Sequence, residues 1–167
     1  AALNQLADDM GPLLSLTFKR KDGLNDLYFA DMQKGHLLVT IGPLENGKVS
    51  TLLFSRALKR SDNSPSPGLA DAIRRLREGQ QRGVLPAEIM SPELLEMAKE
   101  QLQLASSRMN ALGAIRSVDF LRVDARGWDI YRMTFANGTA INEAAPLTDG
   151  KLTGIVIHDY ILAGPQR

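Results

Sequence analysis

Apolar and polar positions follow a two-residue rhythm at both ends of this chain and a helical rhythm between them. From Trp128 to Ala136 the residues alternate, with Tyr131, Met133 and Phe135 on one face, as in a half-buried strand. Ile115–Val123 reads as the strand before it, across a turn at Asp124-Ala-Arg-Gly127. Asn137-Gly138 and Asp149-Gly150 are hairpin signals, because these residues tolerate positive φ. They predict further strands over about 139–147 and 152–162. The start of the chain repeats the plan, with predicted strands near 13–21, 25–33, 36–44 and 48–57 and turns at Lys34-Gly35 and Asn46-Gly47. Sequential hairpins make an antiparallel meander with one face available for covering.

Between the two strand regions the period changes. Leu94, Met97, Ala98, Leu102, Ala105, Met109 and Leu112 recur at spacings of three and four, opposite Glu93, Glu96, Glu100, Gln103 and Asn110. Ser91-Pro92-Glu93 opens this stretch with an N-cap, a first-turn proline and an acid. The pattern predicts one long amphipathic helix over 91–112 whose stripe seeks a sheet. A shorter helix over 67–79 starts at Ser66-Pro67, carries Leu69, Ile73 and Leu76 and stops near Gly79. Ser61-Asp-Asn-Ser-Pro-Ser-Pro-Gly68 is linker-like and divides the chain into modules 1–60 and 61–167.

The two strand regions are copies. Gly11, Ser15, Phe18, Arg20 and Asp22 coincide with Gly113, Ser117, Phe120, Arg122 and Asp124 at one constant offset. After a one-residue insertion, Asp26, Tyr28 and Gly35 align with Asp129, Tyr131 and Gly138, and Pro43-Leu44 and Gly47-Lys48 with Pro146-Leu147 and Gly150-Lys151. A period near 100 residues is too long for a solenoid, so each copy is expected to be a folding unit. Only Ala1–Asp9 precedes the first sheet, matching the last turns of the long helix. The expectation is therefore a truncated first module and a chain excised from something longer.

Composition narrows the chemistry. At 44 % apolar residues the chain can build a core, and at 5 % aromatic residues that core is aliphatic. Twenty Lys and Arg against nineteen Asp and Glu remove the simple electrostatic case for nucleic acid or an anionic membrane. Without Cys there are no disulfides, thiol nucleophiles or Cys-based zinc sites. No apolar run approaches the roughly 20 residues that span a bilayer.

Helices followed by a curved antiparallel sheet look like the cystatin-like or NTF2-like α+β fold. The second copy also carries Ser66-Pro-Gly68, Ile73-Arg-Arg75, Met90-Ser-Pro-Glu93, Leu112-Gly-Ala-Ile-Arg-Ser-Val-Asp-Phe120, Gly127-Trp-Asp-Ile-Tyr131, Phe135-Ala-Asn-Gly138 and Asp149-Gly-Lys151. These resemble a module appended C-terminally to secreted bacterial serine hydrolases of the β-lactamase and penicillin-binding-protein type. Where such modules carry a Trp-Arg-Ile pattern in the third strand, this chain has Ile141-Asn-Glu-Ala-Ala-Pro. The resemblance implies two cystatin/NTF2-like modules, each a curved four-stranded meander packed on a long helix. It also implies a periplasmic or secreted location. The implied function is that of a non-catalytic accessory region, working through module packing, oligomerisation or orientation of a catalytic domain. Expected partners are that catalytic domain or a second copy of the module, including a homodimer.

The hydrolase motifs themselves do not occur here. Ser55-Arg-Ala-Leu-Lys59 has Lys four rather than three residues after Ser, Lys151-Leu-Thr-Gly154 is not Lys-Thr-Gly, and there is no Gly-x-Ser-x-Gly. Neither His36 nor His158 is repeated or has a metal-ligand companion at helical or strand spacing. No catalytic residue, metal ligand or cofactor is assigned. Two alternatives stay open. One is a module binding a small apolar ligand under the 91–112 helix, with Trp128, Tyr131 and Glu143 as candidate ligand residues. The other is an NTF2-like cavity enzyme of isomerase, dehydratase or hydrolase type, for which a buried Asp119, Asp129 or Glu143 would be the base. Arg74, Arg75 and Arg77 make the shorter helix basic, and pairing with the acidic long helix is the simplest expectation.

Overall fold

The structure is a computed structural model and describes residues 9–60 and 63–162. The described residues form two compact units, one of 9–60 with 124–127 and one of 63–123 with 128–162. The first unit contains β1 (Leu13–Asp22), β2 (Asn25–Met32), β3 (Gly35–Ile41), β4 (Leu44–Glu45), β5 (Lys48–Val49) and β6 (Leu52–Ala57). The second contains α1 (Leu69–Gln81), a 3₁₀ turn (Ala87–Ile89), α2 (Pro92–Leu112), β7 (Ile115–Val123), β8 (Asp129–Phe135), β9 (Gly138–Ala144) and β10 (Ile155–Leu162). The strands make two four-stranded antiparallel sheets, β1-β2-β3-β6 and β7-β8-β9-β10, and a two-stranded ribbon, β4-β5.

The duplication is visible in backbone detail. The first strand pair of each sheet shifts register at two places, between Leu13/Ser15 and Phe18/Arg20 in one copy and between Ile115/Ser117 and Phe120/Arg122 in the other. Phe18 faces Tyr28 edge-on at 5.6 Å, and Phe120 faces Tyr131 edge-on at 5.6 Å. Asn46-Gly47 and Asp149-Gly150 both turn at positive φ, near 52° and 73° in one and 51° and 74° in the other.

The expected fold of two α+β modules, each a meander packed on a long helix, is corrected. The described residues are sheet-rich and form three sheets, and the long helix α2 and the shorter α1 both belong to the second unit, while the first unit shows only the helical residues Asp9 and Met10 ahead of its sheet. The helical turns expected at the start of the chain lie, up to residue 8, outside the described residues, as do Ser61 and Asp62 of the linker. Even in the second unit the long helix is not the main cover. The shorter α1 buries Leu69, Ala72, Ile73 and Leu76 together with Arg77, Gly79 and Gln80. The 21-residue α2 buries only Leu94, Met109 and Leu112. The local signals for α2 hold, since the Ser91 hydroxyl accepts from the Leu94 amide at 3.2 Å and Pro92 sits at the first turn. Its apolar stripe is longer than the surface it covers, and Met97 and Leu104 are each 56 % exposed.

The predicted strand over 152–162 starts late for a related reason. The Leu152 amide donates to the Ile89 carbonyl, and the Ser91 amide donates to the Leu152 carbonyl, both at 2.8 Å. Leu152 is thus paired with the entrance to α2 and fully buried. In the first sheet the chain leaves β3 at Ile41, and the β4-β5 ribbon replaces the continuous third strand expected to residue 44.

The cores differ in depth. Ile73, at 0 % exposure, sits in the cluster that joins α1 and α2 to Tyr131 and Met133. Leu16 is 48 % exposed on the edge strand β1. Ile73→Ala is expected to destabilise the protein by about 2–5 kcal/mol and Leu16→Ala by under about 1 kcal/mol. Urea denaturation followed by circular dichroism checks both.

Candidate functional site

The second unit has a solvent-open cavity of about 380 Å³ between α1, α2 and β10. Leu76, Arg77 and Gln80 of α1, Met90, and Leu94 of α2 line its inner part and are all buried. One wall continues along α2 through Ala98, Gln101, Ala105 and Arg108, and the opposite wall is Ile155, Val156, Ile157 and Tyr160 of β10. The exposed Met97 and Leu104 flank it. Arg108 lies over the Tyr160 ring, 5.5 Å from its centre.

Arg77 is the unusual member. It follows Ile73 by one turn, so it falls on the apolar stripe of α1 and is 4 % exposed. Its Nε and Nη2 donate to Asn142 Oδ1 on β9 at 2.9 and 2.6 Å, and its Nη1 donates to Gln80 Oε1 at 2.8 Å. Among the described residues no carboxylate pairs with it. Burial pushes its pKa down to about 10, which leaves it charged at neutral pH. Asn142 is fully buried, and its Nδ2 finds no acceptor among the described residues.

The other two arginines of α1 find their carboxylates on the 3₁₀ turn and on α1 itself, not on the acidic long helix as the sequence pattern leads one to expect. Arg75 pairs with Glu88 at 2.6 Å, and Arg74 reaches Glu78 at 4.0 Å.

The structure keeps the three candidate ligand residues apart from this cavity. Tyr131 is buried in the core, where its hydroxyl donates to Asp129 Oδ2 at 3.2 Å. Asp129 is itself fully buried and accepts the Ser66 amide at 2.6 Å, so this carboxylate caps backbone at the entrance to α1. Trp128 is half-buried against Gly154, where an added Cβ would come within 2.8 Å of the indole ring. Glu143 lies on the face of β9 opposite Asn142 and pairs with His158 Nε2 at 3.1 Å. Asp119, the remaining acid considered as a base, accepts the Ser117 hydroxyl at an exposed position.

In the first unit His36 Nδ1 lies 2.9 Å from Asp31 Oδ1, the Ser15 hydroxyl donates to Asp31 Oδ2 at 2.9 Å, and Lys59 Nζ approaches both oxygens. The Ser15 hydrogen bond, then Lys59, hold the Asp31 carboxyl below the usual aspartate range. The stabilisation this brings is present above the unfolded-chain pKa and is lost as pH falls through the folded one. Ser15 bonds to the carboxylate directly rather than to the imidazole, so the cluster is an ion network on the sheet and not a nucleophile relay. No group of three or more His, Cys, Asp or Glu that could hold a metal ion occurs among the described residues.

The repeat contains a signal that points to the cavity. In the first copy the core-facing positions of the third strand are Leu37, Val39 and Ile41. The matching positions of the second copy are Ala140, Asn142 and Ala144. Two small residues and an amide stand where a sheet face is ordinarily aliphatic, opposite the arginine on the stripe of α1.

No family model, curated protein or solved structure matches the chain. No helix among the described residues is long and apolar enough to cross a membrane.

Asn142→Leu removes the acceptor of two charge-assisted hydrogen bonds and leaves the guanidinium buried. It is expected to cost about 3 kcal/mol in chemical denaturation. The double variant Arg77→Met/Asn142→Leu is expected to regain most of that loss, because an apolar pair then replaces a half-satisfied polar one.

Proposed function

We propose that the chain is a small-molecule-binding module and that its ligand enters the cavity between α1, α2 and β10. The observation that carries this reading is a charged, buried Arg77 on the wall of a cavity that aliphatic side chains line together with polar ones. Binding pockets combine an apolar lining with a few placed polar groups, and about 380 Å³ falls in the range of small-ligand pockets. A core built only for stability has no use for a guanidinium here, since well-packed apolar residues of similar volume serve as well or better. In the setting that the sequence resemblance implies, an accessory region of a serine hydrolase, a ligand held here would act on or through the catalytic part.

The neutral fluorescent probe phenylnaphthylamine tests the cavity without regard to charge. The protein is expected to enhance its fluorescence saturably at one site. Ala98→Trp and Ala105→Trp, which fill the cavity from α2, are expected to weaken that binding at least tenfold. Unchanged binding in both filled variants overturns the reading.

The first unit favours a second reading, association with another copy of the chain. Leu16, Phe18 and Leu52 share the β1-β2-β3-β6 face with Tyr28 and Ile41 and are 48, 51 and 47 % exposed. An apolar patch on that sheet fits the packing or oligomerisation role expected of an accessory region. Sedimentation velocity is expected to show a dimer that Phe18→Glu returns to monomer.

A further inference from the structure

We infer that the cavity takes an amphipathic monocarboxylate, its carboxylate on Arg77 and its aliphatic chain between α2 and β10. This rests on the cavity being a ligand site. A guanidinium offers five N–H groups in a fixed fork. Arg77 uses Nε, one N–H of Nη2 and one of Nη1 on Asn142 and Gln80. One N–H on each terminal nitrogen is left without an acceptor among the described residues. A carboxylate, with two oxygens and several lone pairs, is the group that can accept from both.

Charge points the same way. The cavity lining contains no Asp or Glu, and Arg77 is its buried cation. A neutral ligand leaves that charge uncompensated, and a doubly charged head group over-compensates it inside an apolar wall. A monoanion balances it. Away from Arg77 an aliphatic strip runs through Leu94, Ala98, Ala105, Ile155 and Ile157, with Gln101, Arg108 and Tyr160 beside it. That strip suits a hydrocarbon chain. Arg108, exposed and over Tyr160, lies where the cavity meets solvent, so it adds attraction for anions without a buried charge of its own.

Calorimetric titration with decanoate and with 1-decanol, on the full chain, tests the head group separately from the cavity. Decanoate is expected to bind at least tenfold more tightly than decanol and to displace phenylnaphthylamine. Arg77→Met is expected to abolish the preference while decanol binding persists. The Arg77 Nε–H resonance of the unmodified protein supplies a readout that does not depend on the variant folding: it is expected to shift with decanoate and not with decanol. Equal binding of the two compounds, or bound decanoate with an unmoved Arg77 resonance, overturns the carboxylate assignment and leaves the cavity reading standing. Saturable phenylnaphthylamine binding that neither compound displaces also overturns the assignment. Failure of all three compounds to bind overturns the cavity reading itself.

Discussion

The forked hydrogen bond from Arg77 to Asn142 is the constraint around which the second unit is arranged. A guanidinium withdrawn from water costs several kcal/mol unless its donors meet acceptors. Asn142 supplies one acceptor from the sheet and Gln80 another from the next turn of the same helix. To keep the first of these, the Arg77 side chain must reach from α1 to β9, and Ala140 and Ala144 on either side of Asn142 are small enough to leave room for it. The sheet face is then taken by the 13-residue helix rather than by the 21-residue one. The long α2 joins the same core only through Leu94, Met109 and Leu112, and the cavity lies between its middle and β10.

The duplication shows what the scaffold does without that constraint. Both copies keep the edge-on aromatic pair, the two register shifts of the first hairpin and the positive-φ turn of the last. These features shape a twisted sheet and say nothing about what lies on it. The copies part at the third strand. Leu37, Val39 and Ile41 give the first sheet an aliphatic face, where Met10 joins the core. Ala140, Asn142 and Ala144 give the second a shallow polar one. The shared positions therefore maintain the sheet, and the divergent ones decide what packs there.

Local structure was legible in the sequence because short-range chemistry decides it. The Asn46-Gly47 and Asp149-Gly150 turns, alternation in β8, and the Ser91-Pro92 start of α2 each depend on a few neighbouring residues, whereas at Asn137-Gly138 the turn falls one residue earlier, at Ala136-Asn137. The cover was not legible. A longer and more regular stripe made α2 the apparent partner of the sheet, yet stripe length does not reveal which helix carries the complementary polar group. Arg77 looked like one of three basic residues set to pair with the acidic long helix, although its place one turn after Ile73 put it on the buried stripe. Tyr131 and Trp128 drew attention as aromatics, and both serve packing: one holds Asp129, the other fills the space that Gly154 leaves. Asp129 itself shows why a buried carboxylate is not by itself a base, since its Oδ2 accepts from a backbone amide and a phenol.

A cavity with one buried cation selects in a way that an apolar cavity cannot. Aliphatic contact contributes roughly 25 cal/mol per Å² of surface removed from water and barely distinguishes one chain from another. The guanidinium adds a condition on the head group, and it does so before a ligand arrives, because Asn142 and Gln80 already fix its plane. Burial lowers its pKa only to about 10, so the condition holds throughout the neutral range. The residues that make Arg77 tolerable in the core are thus the same ones that hold its remaining donors in place. Stability and recognition in this unit depend on a single geometry, and substitutions at Asn142 or Gln80 disturb both together.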